Sequence, residues 1–575
     1  MLTIIKRRPD VAISEDINEL PLILQRIYAQ RGISNEEEIN HSLTKALPPG
    51  KLLNVETGVE LIYHCMESDQ HILIVGDFDA DGATSTALFV RVLKSFGYLN
   101  ISYLVPNRFE FGYGLTPEIV EVAAESNPAL IITVDNGISS IEGVAAAKAK
   151  GIDVLITDHH LPGRELPKAD VIINPNQNGD SFPSKHLAGV GVVFYVLSAL
   201  RALLREKNWF DEKQLAEPNL ARFLDIVAVG TIADVAKLDY NNRILVDQGL
   251  RRIRADKCCA GIRALLTVAG KKLFRVSSTD LGFVVGPRLN AAGRLEDMSL
   301  GIECLLTDDE SRALELAKQL NDLNEERKQI EQEMQKQALD VLKSNKFENV
   351  DAHQFGIVLY DADWHQGVIG IVAARLKEKF HRPVIVFAQS AETELKGSAR
   401  SIPGLHIRDA IDLLATRHPE LVNTFGGHAM AAGMSIPKEK FEEFSAVFDQ
   451  IIEELVTPDQ LEAILLSDGE LNENELSLDI AELLFRAGPW GQGFPEPIFD
   501  GVFNVNDHRI VGKHHLKLNL TPSGGQQKID AIAFNIEKHL WRDDSREVRI
   551  AYQLSINEFR GMRSAQLIIQ HLESI

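Results

Sequence analysis

Residues 71–97 read HILIVGDFDADGATSTALFVRVLKSFG. A short apolar run ends at a glycine, three aspartates follow at alternate positions, and a helical stretch comes next. Similar apolar runs recur downstream, and helical segments separate several of them, at residues 100–106, 130–137, 153–160 and 170–175. Fully apolar strands that alternate with helices are typical of a parallel sheet covered on both faces. The sequence therefore predicts an α/β domain over residues 71–307.

Four further segments complete the predicted architecture. Residues 1–70 are expected to form a polar, mostly helical extension. Residues 308–345 carry apolar side chains at steps of four and three without Gly or Pro, which fits a connecting helix or a dimer coil. Its position between two α/β patterns favours the connector. A smaller α/β unit is expected at 346–455, and the short β-like runs within 456–575 suggest a small OB-like barrel.

Composition limits the possible classes of protein. A chain of 575 residues corresponds to roughly four domains at ~150 residues each. The formal net charge of −22 argues against a generally basic nucleic-acid surface but leaves a local groove open. We expect a cytoplasmic protein, because there is no signal-peptide pattern, no membrane-length apolar run and no C-x-x-C pair. The cysteines are predicted to be reduced thiols, at Cys65, Cys258, Cys259 and Cys304.

Acidic and histidine side chains follow the carboxyl ends of three predicted strands, and ligands bind at that edge of a parallel sheet. They are Asp77, Asp79, Asp81, Asp135, Asp158, His159 and His160, with Asp234 in a later GTIADV segment. A single aspartate at a strand end is usually a helix N-cap. That explanation does not account for three acids within five residues together with a DHH triplet. Clustered carboxylates repel one another unless a cation neutralises them, so the pattern predicts a metal site.

The ligand types indicate which metal is bound. Carboxylates with imidazole and no thiolate suit Mn²⁺ or Mg²⁺ better than Zn²⁺. The number of acids suggests two divalent ions that share a bridging carboxylate. Such a pair stabilises both the entering and the leaving oxygen at a phosphoryl centre. The residues alone therefore predict a phosphoester hydrolase.

The motifs GDFDADG, VDNG, TDHH and GTIADV resemble, in order, those of the DHH phosphoesterase superfamily. Residues 364–376 and 425–433, WHQGVIGIVAARL and FGGHAMAAG, are similar to its DHHA1 domain. Together with the long helix and the barrel, residues 70–575 resemble the branch of single-strand-specific 5′→3′ exonucleases. The resemblance implies two-metal hydrolysis of single-stranded DNA to 5′ mononucleotides in recombination and repair.

The resemblance also implies roles at the metal site. One ion is bound by Asp79 and the other by Asp81, and Asp135 bridges them. The second ion is completed by His159 and Asp234, while His160 faces the scissile phosphate. Many relatives carry a histidine ligand where this chain has Val75, so Asp77 or a water is the expected substitute.

Further residues are expected to contact the substrate. In GPRLNAAGRL, interpreted as a Gly-flanked loop with Arg288, Asn290 and Arg294, the resemblance suggests that Arg288 touches the scissile phosphate. It places the 5′-terminal phosphate on Arg108, Ser398 and Arg400. Ser398 alone would favour a turn role, and His428 is either a satisfied core histidine or a substrate contact. The glycines Gly426 and Gly427 would permit close approach of nucleic acid.

Aromatic and basic side chains elsewhere are ambiguous. A stacking or a packing role fits Phe109, Phe111 and Tyr113 equally well, while packing is favoured for Trp490. The far end of a substrate channel would be lined by basic residues of the barrel, Lys513, Lys517, Lys528 and Arg542.

Two other functions are compatible with parts of the sequence. A phosphodiesterase for oligoribonucleotides or cyclic dinucleotides, or a pyrophosphatase, would use the same chemistry but generally lacks a barrel. A non-catalytic scaffold would have lost the metal ligands that this chain retains. By resemblance, the expected partners are single-stranded DNA, a single-stranded-DNA-binding protein and a RecQ-type helicase, and the expected state is a monomer.

Overall fold

The computed structural model describes residues 3–107, 114–344, 354–512, 515–536, 541 and 545–575. In the N-terminal segment lie strand β1 (Ile4–Arg7) and helices α1 (Leu22–Ala29) and α2 (Val55–Glu67). This segment is less polar than expected, because Ile27 and Ile62 are fully buried in the main core. Amphipathic helices bury one apolar face, and here that face packs against the rest of the chain.

A five-stranded parallel sheet, in the order β3-β2-β4-β5-β6, confirms the first prediction. Its strands are β2 (Ile72–Gly76), β3 (Ile101–Leu104), β4 (Leu130–Val134), β5 (Asp153–Thr157) and β6 (Val171–Ile173). Three helices lie between strands of this sheet in the chain: α3 (Ala80–Ser95), α4 (Pro117–Ala124) and α5 (Ile141–Ala149). Every residue of β2 and β4 is buried, as expected for strands covered on both faces.

Helices dominate the next part of the chain. They are α6 (Gly189–Glu206), α7 (Trp209–Glu212), α8 (Leu224–Ala233), α9 (Tyr240–Arg254), α10 (Ala260–Val268), α11 (Ser278–Asp280), α12 (Gly286–Leu295) and α13 (Ser299–Leu306), with a π-helical turn at Leu281–Val285.

The segment GPRLNAAGRL was expected to be a loop, and this expectation is wrong. It forms helix α12, whose Pro287 lies in the first turn, where proline is tolerated, and whose Leu, Ala and Arg residues favour helix. Gly293 serves close packing, because a Cβ there would collide with the carbonyl oxygen of Phe78. Glycine here permits contact between two backbones and does not mark a loop.

Helix α14 (Glu310–Ser344) has 35 residues and therefore spans about 50 Å. Its first half buries Leu316 and Leu320 in the core of the first lobe. Its second half buries Met334 and Ala338 in a separate apolar cluster of the second lobe. Packing at both ends confirms the connector interpretation.

The second lobe holds a mixed sheet in the order β10-β11-β9-β8-β7. The strands are β7 (Ile357–Asp361), β8 (Val384–Gln389), β9 (Glu394–Arg400), β10 (Thr424–Gly427) and β11 (Ala431–Pro437), and the helices are α15 (Ile369–Phe380), α16 (Ile407–Arg417) and α17 (Phe441–Leu455). Strands β10 and β11 pair antiparallel, so the FGGHAMAAG motif forms a hairpin.

The last part of the chain forms a closed five-stranded barrel, which confirms the OB-like prediction. Before it come strand β12 (Ile464–Ser467), which pairs in parallel with β1, and helix α18 (Leu478–Arg486). The barrel strands are β13 (Phe499–Val511), β14 (His515–Pro522), β15 (Ile529–Ala533), β16 (Glu547–Phe559) and β17 (Met562–Ser574). Trp490 is buried and stacks on Phe494, so its predicted packing role is confirmed.

Within the described residues, no helix combines the length and apolarity needed to cross a membrane.

Candidate metal centre

The turn after β2 places Asp77, Asp79 and Asp81 at the carboxyl edge of the sheet. Asp79 is the N-cap of α3, and its Oδ1 accepts hydrogen bonds from the backbone N of Asp81 (2.8 Å) and Gly82 (3.1 Å). The N-cap explanation is therefore correct for Asp79. Both bonds use Oδ1, so the cap and a ligand role for Oδ2 are compatible.

Asp81 is buried at the N-terminus of α6. Its carboxylate accepts hydrogen bonds from the backbone N of Gly189 (2.6 Å) and Val190 (3.0 Å). Burial, reinforced by the nearby charge of Asp234, raises the pKa of Asp81 to about 7. The helix terminus fixes the orientation of this carboxylate, but it does not remove the cost of burying its charge.

The side chain of His159 lies among three carboxylates. Its Nε2 is 3.0 Å from Oδ1 of Asp135, 3.9 Å from Oδ2 of Asp234 and 4.0 Å from Oδ2 of Asp81. Burial lowers the pKa of His159, which favours the neutral imidazole that metals bind. Asp135 follows β4 with a φ of 63°, a conformation that aspartate tolerates better than most residues.

The buried acids also disfavour one another's charge. Burial, with the charges of Asp81 and Asp79 next, raises the pKa of Asp135 well above its usual value. Burial, with the charge of Asp79, raises the pKa of Asp234 to about 8. A cation at this position would relieve the repulsion and keep the acids ionised.

Two groups of potential ligand atoms lie side by side, each with its atoms within 4.8 Å of one another: Asp77, Asp79 and Asp135, and Asp81, His159 and Asp234. A third group contains Asp135, His159 and His160. Asp135 thus belongs to the first group and lies beside His159 of the second. Oxygen donors with one or two imidazoles suit Mn²⁺ or Mg²⁺, so the residues present fit the expected ions.

The side chain of His160 is fixed by Asp158, whose Oδ1 lies 2.7 Å from His160 Nδ1. Burial opposes a charge on His160, but this hydrogen bond and the charge of Asp158 outweigh it and raise the pKa to about 9. Asp158 also accepts hydrogen bonds from the backbone N of His159 (2.7 Å) and Ile138 (2.9 Å). The sequence analysis noted Asp158 but gave it no role, and the structure shows that it orients the two histidines.

The loop after β6 supports the same histidines. The side-chain amides of Asn174 and Asn176 donate hydrogen bonds to the carbonyl oxygens of His160 (2.9 Å) and His159 (2.6 Å). Neither asparagine was predicted as a site residue, although both follow a strand directly, in INPNQNG, as the other site residues do.

The second lobe reaches the metal centre through His428. The imidazole of this exposed residue stacks on that of His160, with ring centroids 5.5 Å apart and an angle of 22° between the planes. This exposure argues against a core histidine and supports the substrate-contact interpretation. Gly426 and Gly427 lie on the same hairpin, and Gly427 has a φ of 141°, which favours glycine.

Helix α12 supports the acidic turn. The side-chain oxygen of Asn290 accepts a hydrogen bond from the backbone N of Ala80 (2.8 Å), so Asn290 holds the turn that carries the aspartates. Arg288 donates hydrogen bonds to the carbonyl oxygen of Val284 (2.8 Å) and to Oδ1 of Asn321 (3.0 Å). Among the described residues, no carboxylate forms an ion pair with Arg288.

A second polar site lies where β9 meets α15. The Nη1 of Arg400 donates hydrogen bonds to Oγ of Ser398 (3.0 Å) and to the carbonyl oxygen of Ala399 (2.8 Å). Burial lowers the pKa of Arg400, and within the described part of the chain no carboxylate pairs with it. A Cβ added to Gly370 would lie 2.8 Å from Nη2 of Arg400 and 2.9 Å from Oγ of Ser398.

The remaining predicted residues are placed as follows. Val75 is fully buried in the apolar cluster between the sheet and helices α4 and α5. Lys517 is paired with Asp530 at 2.8 Å, which weakens a channel role, whereas Lys528 is exposed. The predictions for Arg108, Phe109, Phe111, Tyr113, Lys513 and Arg542 lie outside the described residues.

Three family models match the chain. They are the N-terminal domain of the DHH family over residues 71–231, the DHHA1 domain over residues 353–454 and the RecJ OB domain over residues 467–571. The order of the three domains agrees with the order of the lobes.

Curated proteins and solved structures resemble the whole chain. The single-stranded-DNA-specific exonuclease RecJ of Dickeya dadantii is 53% identical over 100% of this chain and 99% of its own length. RecJ of Escherichia coli is 52% identical over 98% of both chains. The crystal structure of Thermus thermophilus RecJ with Mn²⁺ covers 99% of this chain and 80% of its own, with a TM-score of 0.80 and 28% identity. A Mg²⁺ complex of RecJ from that organism gives a TM-score of 0.75 at 27% identity and covers 99% of this chain and 79% of its own.

Proposed function

The chain belongs to the RecJ family of single-stranded-DNA-specific exonucleases, and from this premise we propose how its own residues bind and cut a strand. It is an exonuclease of the DHH type that acts on single-stranded DNA in recombination and repair. The observation that carries the mechanism is the pair of adjacent ligand groups around Asp135. We propose that hydrolysis proceeds 5′→3′ and releases 5′ mononucleotides.

Two divalent ions, Mn²⁺ or Mg²⁺, are assigned to these groups. The first would be held by Asp79 and Asp77 and the second by Asp81, His159 and Asp234, with Asp135 available to both. When bound, such ions lower the pKa of water and neutralise charge on phosphoryl oxygens. Three observations support this assignment. The ligand atoms are carboxylate oxygens and an imidazole nitrogen, and within each group they lie within 4.8 Å of one another. The pKa values of Asp81 and Asp234 are also raised.

The charged side chains around the ligands position the scissile phosphate. His160, kept protonated by Asp158, places positive charge at the centre, and His428 stacks against it from the second lobe. Arg288 is assigned to the same phosphate. The support is that its hydrogen-bonding side-chain partner, Asn321, is neutral, and that Asn290 of the same helix holds the acidic turn.

The terminal phosphate of the strand is assigned to Arg400, Ser398 and Arg108, and the first two lie against Gly370. A buried guanidinium with a neutral hydroxyl neighbour is suited to bind phosphate oxygens. If this assignment is correct, Arg400→Gln removes the preference for a 5′-phosphate over a 5′-hydroxyl end, while Asn423→Ala, exposed at the start of the β10 hairpin, retains it.

We propose that a cleft between the two lobes accounts for the choice of single strands. We propose that the strand passes between them, that the cleft is too narrow for a duplex, and that the barrel guides the chain.

The proposed domains are residues 1–70, 71–307, 308–345, 346–455 and 456–575. A single-stranded-DNA-binding protein and a RecQ-type helicase are proposed partners of a monomer. The cytoplasm is the proposed compartment, which fits four cysteines that form no disulfide.

The deciding experiment digests strands labelled at either end, single or paired, across a titration of Mn²⁺ and Mg²⁺. We expect mononucleotides released first from the 5′ end, from single strands only, and only with metal. Initial release from the 3′ end would overturn the polarity. Faster cleavage of dinucleotides than of long strands would favour a small-substrate phosphodiesterase, and binding without cleavage would favour a scaffold.

A further inference from the structure

The residue directly after Asp234 has an unusual backbone. Val235 has a φ of 59°, a left-handed conformation that is a genuine outlier for a β-branched residue. The backbone N of Ala236 donates to the carbonyl oxygen of Thr231, and that of Val235 donates to the carbonyl oxygen of Ile232. This Schellman pattern at the end of α8 normally takes glycine at the position of Val235. A strained valine that is 64% exposed therefore stands beside a metal ligand.

A second exposed apolar side chain lies on the segment that packs against this helix end. Phe283 is 79% exposed and lies in the π-helical turn Leu281–Val285. A Cβ added to Gly282 would lie 3.2 Å from Cγ2 of Ile232, and one added to Gly286 would lie 3.1 Å from Cβ of Ala233. The residues flanking Phe283 thus contact the two residues that precede Asp234.

The π-helical turn is also held in place at its C-terminal end. It continues into α12, where Arg288 donates a hydrogen bond to the carbonyl oxygen of Val284. The same helix holds the acidic turn through Asn290. Phe283 is therefore an exposed phenyl group on a rigid support that contacts both metal-binding segments. π-Helical turns of this kind occur frequently at functional sites.

We propose that Val235 and Phe283 form an apolar ledge that stacks against a nucleobase of the bound strand beside the scissile phosphate. This inference rests on the proposed function and adds to it a contact with bases. Stacking tolerates any sequence, because every base presents a π-face. It also favours an unpaired base, since the faces of interior bases in a duplex are already covered by their neighbours. The ledge would therefore contribute to single-strand selectivity as well as to affinity.

The test measures strand binding by Phe283 variants in the cleavage-deficient Asp135→Asn background with Mg²⁺. Fluorescence anisotropy gives Kd for intact strands and for strands with one abasic nucleotide at each of the terminal positions in turn. We expect Phe283→Ala to raise Kd for intact strands by roughly 5- to 150-fold. When the abasic nucleotide replaces the stacked base, Phe283→Ala should raise Kd by less than about 2-fold. Phe283→Trp should bind intact strands as tightly as the protein with Phe283.

Leu99→Ala is the matched control, because Leu99 is 75% exposed but precedes β3 at the opposite edge of the sheet. It should leave Kd unchanged, and thermal melts of all variants should coincide, since none of the changes removes a buried side chain. An unchanged Kd in Phe283→Ala, or equal losses on intact and every abasic strand, would overturn the ledge. Cleavage by the protein with native Asp135 is measured separately, so a failure of the proposed function is recognised independently.

Discussion

Asp81 and Asp135 are buried and Asp234 is half-buried beside them, and each carries a pKa raised first by burial and then by other carboxylates. Only His159 among the described neighbours places a basic nitrogen within 4.0 Å of all three. Burial lowers the pKa of His159, so it cannot supply the missing positive charge at neutral pH. At the scale of single residues, the site is therefore built for an external cation and is electrostatically unfavourable without one.

Replacing Asp135, the proposed shared ligand, should lower nuclease activity without lowering stability. Asn tolerates the left-handed conformation of Asp135, so Asp135→Asn keeps the backbone and removes one charge. We expect nuclease activity to fall by at least about 100-fold, because a metal ligand contributes several kcal/mol to the reaction. The melting temperature in EDTA at pH 8 should equal or exceed that of the unsubstituted protein. Asp322→Asn, exposed on α14, should change neither, and retained activity in Asp135→Asn would refute the ligand assignment.

The proposed ligands could be picked out from the sequence because they follow strands whose apolar patterns are plain. Asp77, Asp79, Asp135 and His159 needed only the rule that parallel strands end at one edge. The roles of Asp158 and Asn290 were not predictable in this way. Asp158 acts through a hydrogen bond to His160, and Asn290 acts on Ala80 from 210 positions away. Such supporting contacts depend on tertiary distances that a local pattern does not contain.

At the scale of elements, α14 carries a buried ion network that ties this helix to the second lobe. Glu331 accepts from Arg327 of the same helix and, at 2.9 Å, from Nε of Arg375 on α15. Arg327 and Glu331 are both buried. Removing one member of a buried network leaves an uncompensated charge, whereas removing the exposed Glu325 does not.

Glu331→Ala should therefore destabilise the protein by about 3–5 kcal/mol, because Arg327 loses its buried partner. The expected readout is a lower urea midpoint for unfolding of the second lobe. Glu325→Ala removes a surface ion pair with Lys328 on the same helix, so its expected cost is below about 1 kcal/mol. Equal effects of the two substitutions would contradict the structural role assigned to Glu331.

The N-terminus of α15 provides a test of the terminal-phosphate site. Gly370→Ala adds a methyl group 2.8 Å from Arg400 Nη2 and 2.9 Å from Ser398 Oγ, so it displaces the two side chains assigned to the phosphate. We expect the rate ratio between 5′-phosphorylated and 5′-hydroxyl strands to fall by about 10-fold or more, which corresponds to ~1.4 kcal/mol. Glu378→Ala, exposed further along the helix, is the control, and an unchanged ratio in Gly370→Ala would exclude the site.

Helices and strands were predicted correctly where the apolar periodicity was strong. The prediction failed where glycines were taken to mark a loop. The parallel sheet, the long helix and the barrel have clear apolar patterns. Helix α12 was mistaken for a loop because two glycines flank its arginines, yet Gly293 is required by the approach of Phe78. The N-terminal segment looked polar, since the surface that receives Ile27 and Ile62 is formed by distant parts of the chain.

At the scale of the whole molecule, the lobes meet at the metal centre. His428 of the second lobe stacks on His160 of the first, and Nη1 of Arg294 donates a hydrogen bond to the carbonyl oxygen of Gly367 (2.9 Å). The charge state of the centre therefore affects the stability of the first lobe and its contact with the second.

Stability without metal should fall as the pH rises. The folded-state pKa values of Asp81 and Asp234, about 7 and 8, exceed those of an unfolded aspartate, and that of His160, about 9, exceeds that of an unfolded histidine. The folded state then binds more protons, so the free energy of unfolding decreases between about pH 5 and 9. Melting temperatures in EDTA should decline over this range, and Mg²⁺ should flatten the decline. Asp234→Asn should also reduce it, whereas stability that rises with pH in EDTA would contradict these assignments.

The pairing of β1 with β12 aligns Ile4 with Ile464, a separation of 460 positions along the chain. During synthesis at about 5–20 residues per second, β1 emerges from the ribosome roughly 20–90 s before β12 emerges. The sheet domain, by contrast, has all of its strands long before that moment. Translation thus imposes an order of assembly in which the joint between the start of the chain and the approach to the barrel is among the last to form. Nascent protein should consequently remain open to proteases at β1 until β12 has emerged from the ribosome.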